Sequence, residues 1–402
     1  MPKITRALAF LAVSSLIAAA FVAPATANGP EVKGEGENME PIAHIPWTGG
    51  TDMEIATIKG RHIAFASSTA AAAEGGGLHV IDVTKPEKSK EIGYAPCSLN
   101  QGDIQLSHDQ KNVIVAADSA VGPDGCLGVG QEGFLVYDIK NPAKPKPVGF
   151  GVTGSSHNTT AHPTKPYVYN SSSALAPPGN IQIWSIKNPA KPELVTTINS
   201  LPHAPHDMAF NEDGTLMVTA AISHWDIYDT SDPEAPTLLW TGQCPGCTIT
   251  HDAKFVPEDG GVIIGDEAGG GLTFPCPGGA LYFYTLEMAS GQPVPVLTGV
   301  FEPHTVIFAQ GTTPGSCTSH VFEISDDASH LAIAWYSSGV HYINIADLTG
   351  VAVGNTSAGN IKREAWFIPE GGSTWSAKLH QGPYMFTNDI RLGFIAYKIK
   401  VP

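Results

Sequence analysis

Four histidines occupy the same place in stretches of the chain that resemble one another. One stretch reads Cys-Thr-Ile-Thr-His-Asp-Ala-Lys-Phe-Val-Pro-Glu-Asp-Gly, and another reads Pro-His-Asp-Met-Ala-Phe-Asn-Glu-Asp-Gly. In each, a short strand follows the histidine and a turn ends the strand. The four residues are His157, His206, His251 and His320. Neutral imidazoles favour zinc, copper, iron or nickel over calcium or magnesium, so these side chains would form a transition-metal centre if they converged.

The elements that must position these histidines repeat along the chain. A spacing of roughly 40–50 residues with about four strands per unit is typical of a β-propeller. The third strand of each unit is recognisable by its alternating aromatic or β-branched residues. The seven segments are 77–83, 134–139, 181–186, 225–229, 280–286, 340–345 and 392–399. Because the first strand of each propeller unit lines the central channel, histidines on successive first strands would meet at its axis.

The sequence therefore predicts an all-β fold, a single seven-bladed β-propeller over residues 39–402. The last unit ends with its third strand at Ile399, so its outer strand has to come from elsewhere. The segment Glu40–Trp47 reads as an outer strand and precedes the first unit. We expect it to complete the last blade, which would close the ring and remove an exposed sheet edge.

We call the position that the four histidines share in their units the histidine register, and each of the other three units contributes one residue to it. Aligning them places Asp52, Asp103 and Trp375 beside the four histidines. The two aspartates would complete a metal shell or hold water. The competing interpretation is a polar channel mouth in which the imidazoles bind water and no ion.

Two carboxylates are predicted at the same mouth of the channel because each ends a second strand. Asp118 and Glu267 would orient an imidazole N–H, as carboxylates do around metals, or act as a general base in catalysis. Each is also explained as a carboxylate that caps a turn. His203, His304 and His380 are placed near this mouth as groups that support the metal, proton shuttles or surface residues.

All six cysteines fall in loops on this face of the predicted propeller. Cys97 and Cys126 are natural partners, since they lie in the loop before the first strand and in the loop after the second strand of one unit. The other four are Cys244, Cys247, Cys276 and Cys317. The Cys-Pro-Gly-Cys spacing also fits a redox or zinc motif, although structural pairing is favoured in an exported chain.

The N-terminus has the features of a secretory signal. Lys3 and Arg6 precede an apolar run that ends in the cleavage signature Ala-Thr-Ala. We expect a signal peptide over residues 1–27 and a flexible leader over residues 28–38. The formal net charge of −16 argues against nucleic acid and anionic membrane surfaces as partners. The sequence thus predicts a secreted, extracytoplasmic protein with no membrane insertion once the signal is removed.

Proline-spaced turns follow four of the third strands, as in Leu-Val-Tyr-Asp-Ile-Lys-Asn-Pro-Ala-Lys-Pro over residues 135–145. This pattern resembles the LVIVD-repeat family of secreted bacterial β-propellers and implies that fold over most of residues 40–400. The histidine arrangement is similar, in architecture and not in sequence motifs, to two groups of metal propellers. These are the carotenoid cleavage oxygenases, with a four-histidine iron centre, and the copper-dependent selenium-binding protein and methanethiol oxidase family.

These observations predict a metal-dependent oxidoreductase that acts on a small-molecule substrate at an axial site lined by histidines. Copper is the favoured cofactor because assembly outside the cytoplasm makes copper or zinc easier to load than ferrous iron; iron and zinc remain alternatives. Two other functions stay open. One is a non-catalytic extracellular binding or scaffold propeller, and the other is a lyase that uses the metal as a Lewis acid.

Overall fold

The chain forms seven blades, which confirms the predicted seven-bladed β-propeller. Their strands pair antiparallel except for Gln292–Glu302 with Gly350–Val353, which are parallel. The computed structural model describes residues 29, 31–122, 126–172, 179–258, 260–271, 278–289, 291–302, 317–353, 356–357, 359–380 and 382–401. The predicted signal peptide lies outside these residues. No helix in the described part of the chain is long and apolar enough to span a membrane. The helical segments described are short 3-10 turns at Ala72–Glu74 and Pro86–Lys88.

The first four blades are regular four-stranded sheets, preceded by two short strands. The preceding strands are β1 (Gly34–Glu37) and β2 (Met39–Ile45). Blade one contains β3 (Gly50–Ile58), β4 (Arg61–Ser68), β5 (Gly77–Asp82) and β6 (Lys90–Ala95). Blade two contains β7 (Gln101–Leu106), β8 (Asn112–Ala117), β9 (Gly133–Asp138) and β10 (Lys146–Val152). Blade three contains β11 (Thr159–Ala161), β12 (Tyr167–Ser171), β13 (Gly179–Ser185) and β14 (Glu193–Leu201). Blade four contains β15 (Asp207–Phe210), β16 (Leu216–Ala221), β17 (His224–Asp229) and β18 (Thr237–Gly242).

The last three blades carry additional or exchanged outer strands. Blade five contains β19 (Thr250–Val256), β20 (Gly261–Asp266), β21 (Leu281–Ala289) and β22 (Gln292–Glu302), extended by β26 (Gly350–Val353) and β27 (Thr356–Ser357). Blade six contains β23 (Phe322–Ile324), β24 (His330–Ala334), β25 (Val340–Asn344) and β28 (Lys362–Pro369), extended by β1. Blade seven contains β29 (Thr374–Leu379), β30 (Tyr384–Asp389), β31 (Gly393–Ile399) and β2.

The N-terminal strand β2 completes the last blade, as predicted. It pairs antiparallel with β31, and Ile45 lies opposite Phe394. Just after β2, the indole Nε1 of Trp47 donates a hydrogen bond to Oδ1 of Asn388 at 3.1 Å. Residues 34–37, which fall within the predicted flexible leader, form β1 and pair with β28 of blade six. The ring is therefore closed by pairing between strands that are far apart in the sequence.

The apolar core lies between neighbouring blades. Every residue of β8 is buried, since both faces of this sheet pack against other blades. Between blades one and two, Phe65, Val80, Val113 and Leu135 belong to one apolar cluster. Full burial of an aliphatic or aromatic side chain stabilises a fold by about 1.5–3 kcal/mol, so these contacts hold neighbouring blades together.

A β-bulge at the start of several innermost strands decides which side chains reach the channel. In β19 the pairing skips His251, which lies between Thr250 and Asp252, and in β29 it skips Trp375. A bulge adds an unpaired residue and re-aims the side chains around it. As a result, the consecutive residues His251 and Asp252 do not have to alternate between opposite faces of the sheet.

Candidate metal centre

The four predicted histidines form a continuous arc across blades three to six. His157 precedes β11, His206 precedes β15, His251 lies in β19 and His320 precedes β23. Successive ring centroids along this arc are 4.0, 4.7 and 4.3 Å apart. All four residues are buried, with 3% to 7% of their surface exposed. The register read from the repeats therefore brings these imidazoles into contact.

Glu267 contacts two imidazoles at one end of the arc. It follows β20, in the loop that leads to β21. Its Oε2 lies 3.6 Å from Nε2 of His251, and its Oε1 lies 3.6 Å from Nε2 of His320. Tyr336, from the equivalent loop of blade six, donates its O–H to Oε1 of Glu267 at 2.6 Å. One carboxylate is thus shared between two imidazoles and oriented by a phenol.

The hydrogen bonds of His320 identify which ring nitrogen carries its proton. Nδ1 lies 2.8 Å from the backbone carbonyl oxygen of Trp375, and a carbonyl oxygen only accepts, so Nδ1 is the donor. Nε2 then presents a lone pair towards Oε1 of Glu267. Two acceptors facing each other are stabilised either by a proton on the carboxyl group or by a cation between them.

His157 stands at the other end of the arc, next to the second predicted carboxylate. Oδ2 of Asp118 lies 3.3 Å from Nδ1 of His157, which favours the tautomer protonated at Nδ1. Nε2 of His157 lies 3.1 Å from Nε2 of His206 and 3.4 Å from Nε2 of Gln101. His157 therefore accepts at Nε2, and His206 donates to it from its own Nε2. This leaves Nδ1 of His206 with a free lone pair.

Burial favours the neutral form of three imidazoles of this arc, those of His206, His251 and His320. It lowers the pKa of His251 well below its usual range, with the other three histidines adding to the effect. Burial, then His157 and His320, lower the pKa of His206 in the same way, and burial brings that of His320 to about 3. Burial raises the pKa of Glu267 to about 7, against the opposing hydrogen bond from Tyr336. Neutral nitrogens are the form that binds a metal.

His206, His251 and Glu267 form the group that could hold a metal ion. One ligand atom of each lies within 4.8 Å of the others, and all three residues are buried. Nδ1 of His206 and Nδ1 of His251 are buried and have no hydrogen-bond partner among the described residues. Buried nitrogens near a carboxylate of raised pKa fit a cation, because a cation would stabilise the charged carboxylate and bind a nitrogen lone pair. Two imidazoles and one carboxylate are also a common donor set for transition metals.

Asp52 and Asp103 are not members of the histidine register, contrary to the sequence alignment. Asp52 accepts a hydrogen bond at Oδ2 from the backbone N–H of Ile104 at 3.2 Å. Asp252 does the same for Phe322 of the next blade, also at 3.2 Å. Asp103 likewise accepts the backbone N–H of Thr159 at 2.9 Å. Asp52 and Asp103 thus correspond to Asp252, one residue beyond the histidine position. The alignment was one residue out in these two units, where Thr51-Asp52 and Gly102-Asp103 match His251-Asp252 and the strands bulge at the same place.

The other predicted residues at this mouth separate into three groups. The ring of Trp375 packs against His320 with centroids 4.3 Å apart, as its register position predicts. His203 stacks on His224, with centroids 3.7 Å apart, and no contact with the arc is seen among the described residues. His380 follows the far end of β29 and contacts His62, so its placement at the histidine mouth is wrong. His304 lies outside the described residues.

Sequence reasoning missed Tyr336 and Gln101. Both have positive φ angles, 43° and 65°, which non-glycine residues adopt rarely and mostly where the surroundings enforce them. Tyr336 could have been found from its position, since it ends a second strand as Asp118 and Glu267 do. Gln101 gives no comparable signal in the sequence.

Two disulfides fasten the loops next to the centre. Cys97 and Cys126 are bonded, as predicted, with their Cα atoms 5.2 Å apart. Cys244 and Cys247 are bonded to each other, with Cα atoms 5.4 Å apart. Disulfides are typical of proteins in oxidising compartments. Cys276 lies outside the described residues.

Comparisons with known proteins support the fold and no more. The chain is similar to the crystal structure of a functionally unknown protein from Desulfotomaculum acetoxidans DSM 771, with a TM-score of 0.55 and 12% identity over 78% of this chain and 88% of the other. It is also similar to the β-propeller domain of Cps50 (Swd1) from Myceliophteria thermophila, with a TM-score of 0.59 and 9% identity over 94% of this chain and 100% of the other. No protein-family model and no curated protein matches the chain. The resemblance to LVIVD-repeat proteins is thereby supported as far as the seven-bladed propeller and not as a family assignment.

Proposed function

We propose that this protein is an extracytoplasmic, metal-dependent oxidoreductase that acts on a small molecule. His206, His251 and Glu267 hold the ion, and His157 and His320 flank it as further ligands. The observation that carries the proposal is the buried convergence of metal-ligating groups: Nε2 of His320 faces Glu267, and His206, His251 and Glu267 each bring one ligand atom within 4.8 Å of the others. Such a set is costly to bury without a cation.

The residues around the ion have distinct roles in this proposal. A redox-active ion would supply electron transfer to or from the bound molecule. In the metal-free protein burial raises the pKa of Glu267 to about 7, so protons compete with the ion for this carboxylate near neutral pH. Tyr336 holds that carboxylate in place, and Asp118 keeps His157 in the tautomer whose Nε2 accepts the hydrogen bond from His206. The two carboxylates thus act on different histidines of the arc.

Metal analysis of the purified protein tests the proposal. We expect stoichiometric copper or iron in the wild-type chain and its loss in His251→Ala and in Glu267→Gln. His203→Ala is the matched control, because this histidine lies near the same mouth but contacts His224 instead of the arc. Retention of full metal by both site variants would disprove the proposed centre.

The identity of the bound metal distinguishes an oxidoreductase from the two alternative functions, a lyase and a non-catalytic propeller. Copper or iron with an absorption band that is bleached by a reductant and restored by air supports an oxidoreductase. Stoichiometric zinc contradicts that reaction class and supports a metal-assisted lyase. A metal-free protein that still binds an extracellular partner supports the non-catalytic propeller.

Export is the other part of the proposal, and the two disulfides support it. Expression with the complete N-terminus in a host that exports proteins should give a mature chain that begins at Asn28. N-terminal sequencing of the secreted material measures this directly. A chain that keeps residues 1–27 and stays in the cytoplasm would contradict the proposed location.

A further inference from the structure

A second cluster of charged side chains lines the channel beyond the histidines. We call its first layer the acidic ring: Asp52, Asp103, Asp207 and Asp252. Two residues further along the strands, on the same face, lies a second layer of charged side chains. These are Glu54, Lys254, Glu323 and Lys378. Except for Asp252, which pairs with Lys254, all of these side chains line a cavity of about 280 Å³.

The two lysines of this cluster already have carboxylate partners. Nζ of Lys254 lies 2.8 Å from Oδ2 of Asp252. Nζ of Lys378 lies 2.7 Å from Oε1 of Glu54 and 3.4 Å from Oε2 of Glu323. The arrangement shows that carboxylates in this cavity bind primary ammonium groups. It also leaves three aspartates without an ammonium at ion-pair distance among the described residues: Asp52, Asp103 and Asp207.

Asp52 provides the observation that points to a missing partner. The residue is only 3% exposed, and its Oδ2 accepts the backbone N–H of Ile104. Its Oδ1 is buried and has no hydrogen-bond partner among the described residues. Burial, followed by Asp52 and Asp207, raises the pKa of Asp103 well above its usual range, and all three residues line the same cavity. Lys378 and Lys254 offset the effect of burial on the pKa of Asp52 only in part, and a cation in the cavity would reduce the remaining cost of the buried carboxylate.

The geometry favours an organic cation over a directly coordinated metal. Among the described residues, the group with metal-like spacing is His206, His251 and Glu267, and no trio from the acidic ring reaches that spacing. The cavity continues into a larger groove of about 830 Å³ that shares Glu54, Glu323 and Lys378 with it. Further carboxylates line this groove, namely Asp326, Asp327 and Glu364. An extended cation could therefore reach the axis from this side.

We propose that the cavity binds the primary ammonium end of a small aliphatic amine, with Asp52, Asp103 and Asp207 as its hydrogen-bond acceptors. The ligand repeats the interaction that Lys254 and Lys378 make on the other side of the cavity. The site lies beyond the histidine arc along the channel and uses none of the candidate metal ligands. It does not depend on the proposed metal function.

Calorimetric titration of the complete protein with putrescine tests this site. We expect saturable binding of putrescine and none of n-butanol, which has a similar carbon chain and no charge. Asp52→Asn combined with Asp103→Asn should weaken binding at least roughly tenfold, since two charge-assisted hydrogen bonds to the ammonium group lose their charged acceptors. Asp213→Asn, at an exposed turn, is the matched control for the overall negative charge and should leave binding unchanged.

The substitutions should be tolerated, because asparagine keeps an oxygen that can accept the backbone N–H of Ile104 or Thr159. If the double variant fails to fold, Asp103→Asn alone gives the same comparison through the rise in melting temperature that putrescine produces. Absence of putrescine binding, or equal binding by wild type and folded variant, overturns the proposal. Tighter binding of Mg²⁺ or of an oligolysine peptide that displaces putrescine would also overturn it, in favour of a metal or a basic protein partner.

Discussion

At the scale of single residues, Glu267 has the most unusual environment of the candidate centre. It is 6% exposed, lies 3.6 Å from two imidazole nitrogens and accepts a hydrogen bond from Tyr336. In the metal-free protein, burial raises its pKa from 4.5 to about 7. A carboxylate held in this way is unfavourable to the apoprotein and favourable to cation binding, which is the usual conflict between stability and function.

Replacing Glu267 by glutamine should stabilise the metal-free protein at alkaline pH. Between pH 4.5 and about 7 the folded wild type keeps a proton that the unfolded chain has released, so its stability falls as the pH rises through this window. Glutamine does not ionise and avoids this loss, which is worth up to about 3 kcal/mol above the window. Urea unfolding of the chelator-treated proteins at about pH 8 measures the gain.

The control is the same comparison of wild type with Glu267→Gln at a pH below the range in which Glu267 ionises. At about pH 4 both side chains are neutral, and the two proteins should then unfold at similar urea concentrations. A constant difference between them at every pH would show that the substitution acts through packing and not through the charge of Glu267.

Tyr336→Phe should weaken metal binding while preserving the fold. The phenol hydrogen bond lowers the pKa of Glu267, so its loss allows protons to compete with the metal up to a higher pH. Loss of such a supporting group typically costs 10-fold or somewhat more in affinity, and we expect roughly tenfold here. Competition with a chelator over a range of pH measures both the affinity and its midpoint. Tyr342→Phe, on a side chain that stacks on His330, should have neither effect.

At the scale of elements, the centre is built from two kinds of position. The starts of the innermost strands provide the histidines, and the ends of the second strands provide Asp118, Glu267 and Tyr336. The disulfide between Cys97 and Cys126 joins one segment of each kind in blade two. It therefore restrains the loop that presents Asp118 to His157.

Removing this disulfide should destabilise the protein more than removing the short one. The loop between Cys97 and Cys126 spans 29 positions, against 3 for Cys244 and Cys247. Loop-closure entropy then predicts a loss of about 3–4 kcal/mol for Cys97→Ser with Cys126→Ser, and about 2 kcal/mol for the control pair. Thermal and urea unfolding of both double variants measure the difference. An equal loss in the two would rule out chain entropy as the cause.

At the scale of the whole molecule, ring closure depends on strands from the N-terminal side. Blade seven gains its outer strand from β2, and blade six gains an extra strand from β1. The two contributions differ in kind: β2 replaces a missing fourth strand, whereas β1 adds a fifth strand to a blade that already has four. Only the loss of β2 would leave blade seven with three strands and an exposed edge.

Truncation should separate these two contributions. A chain that begins at residue 47 lacks β2 and should aggregate or melt well below the wild type, because the edge of β31 is left unpaired. A chain that begins at residue 39 loses only β1 and should remain monodisperse with a small decrease in melting temperature. Size-exclusion chromatography and thermal unfolding report both outcomes. Identical behaviour of the two truncated chains would contradict closure through β2.

The sequence by itself determined the blade count, the closing strand and the four histidines, because each follows from a repeat. Periodic alternation marks the strands, and equivalent positions in equivalent units occupy equivalent places around an axis. The Cys97–Cys126 pair followed in the same way. These features require only that the units be counted and aligned.

Only the tertiary structure decided which of these groups act together. The hydrogen bonds that Asp52 and Asp103 accept from the next blade place them level with Asp252, one residue beyond the histidine position. The contacts of Glu267 and Tyr336 join loops of different blades, 69 positions apart, and no local pattern encodes that distance. The sequence thus specifies which side chains each blade carries, whereas the packing of blades around the channel decides which of these side chains are in contact.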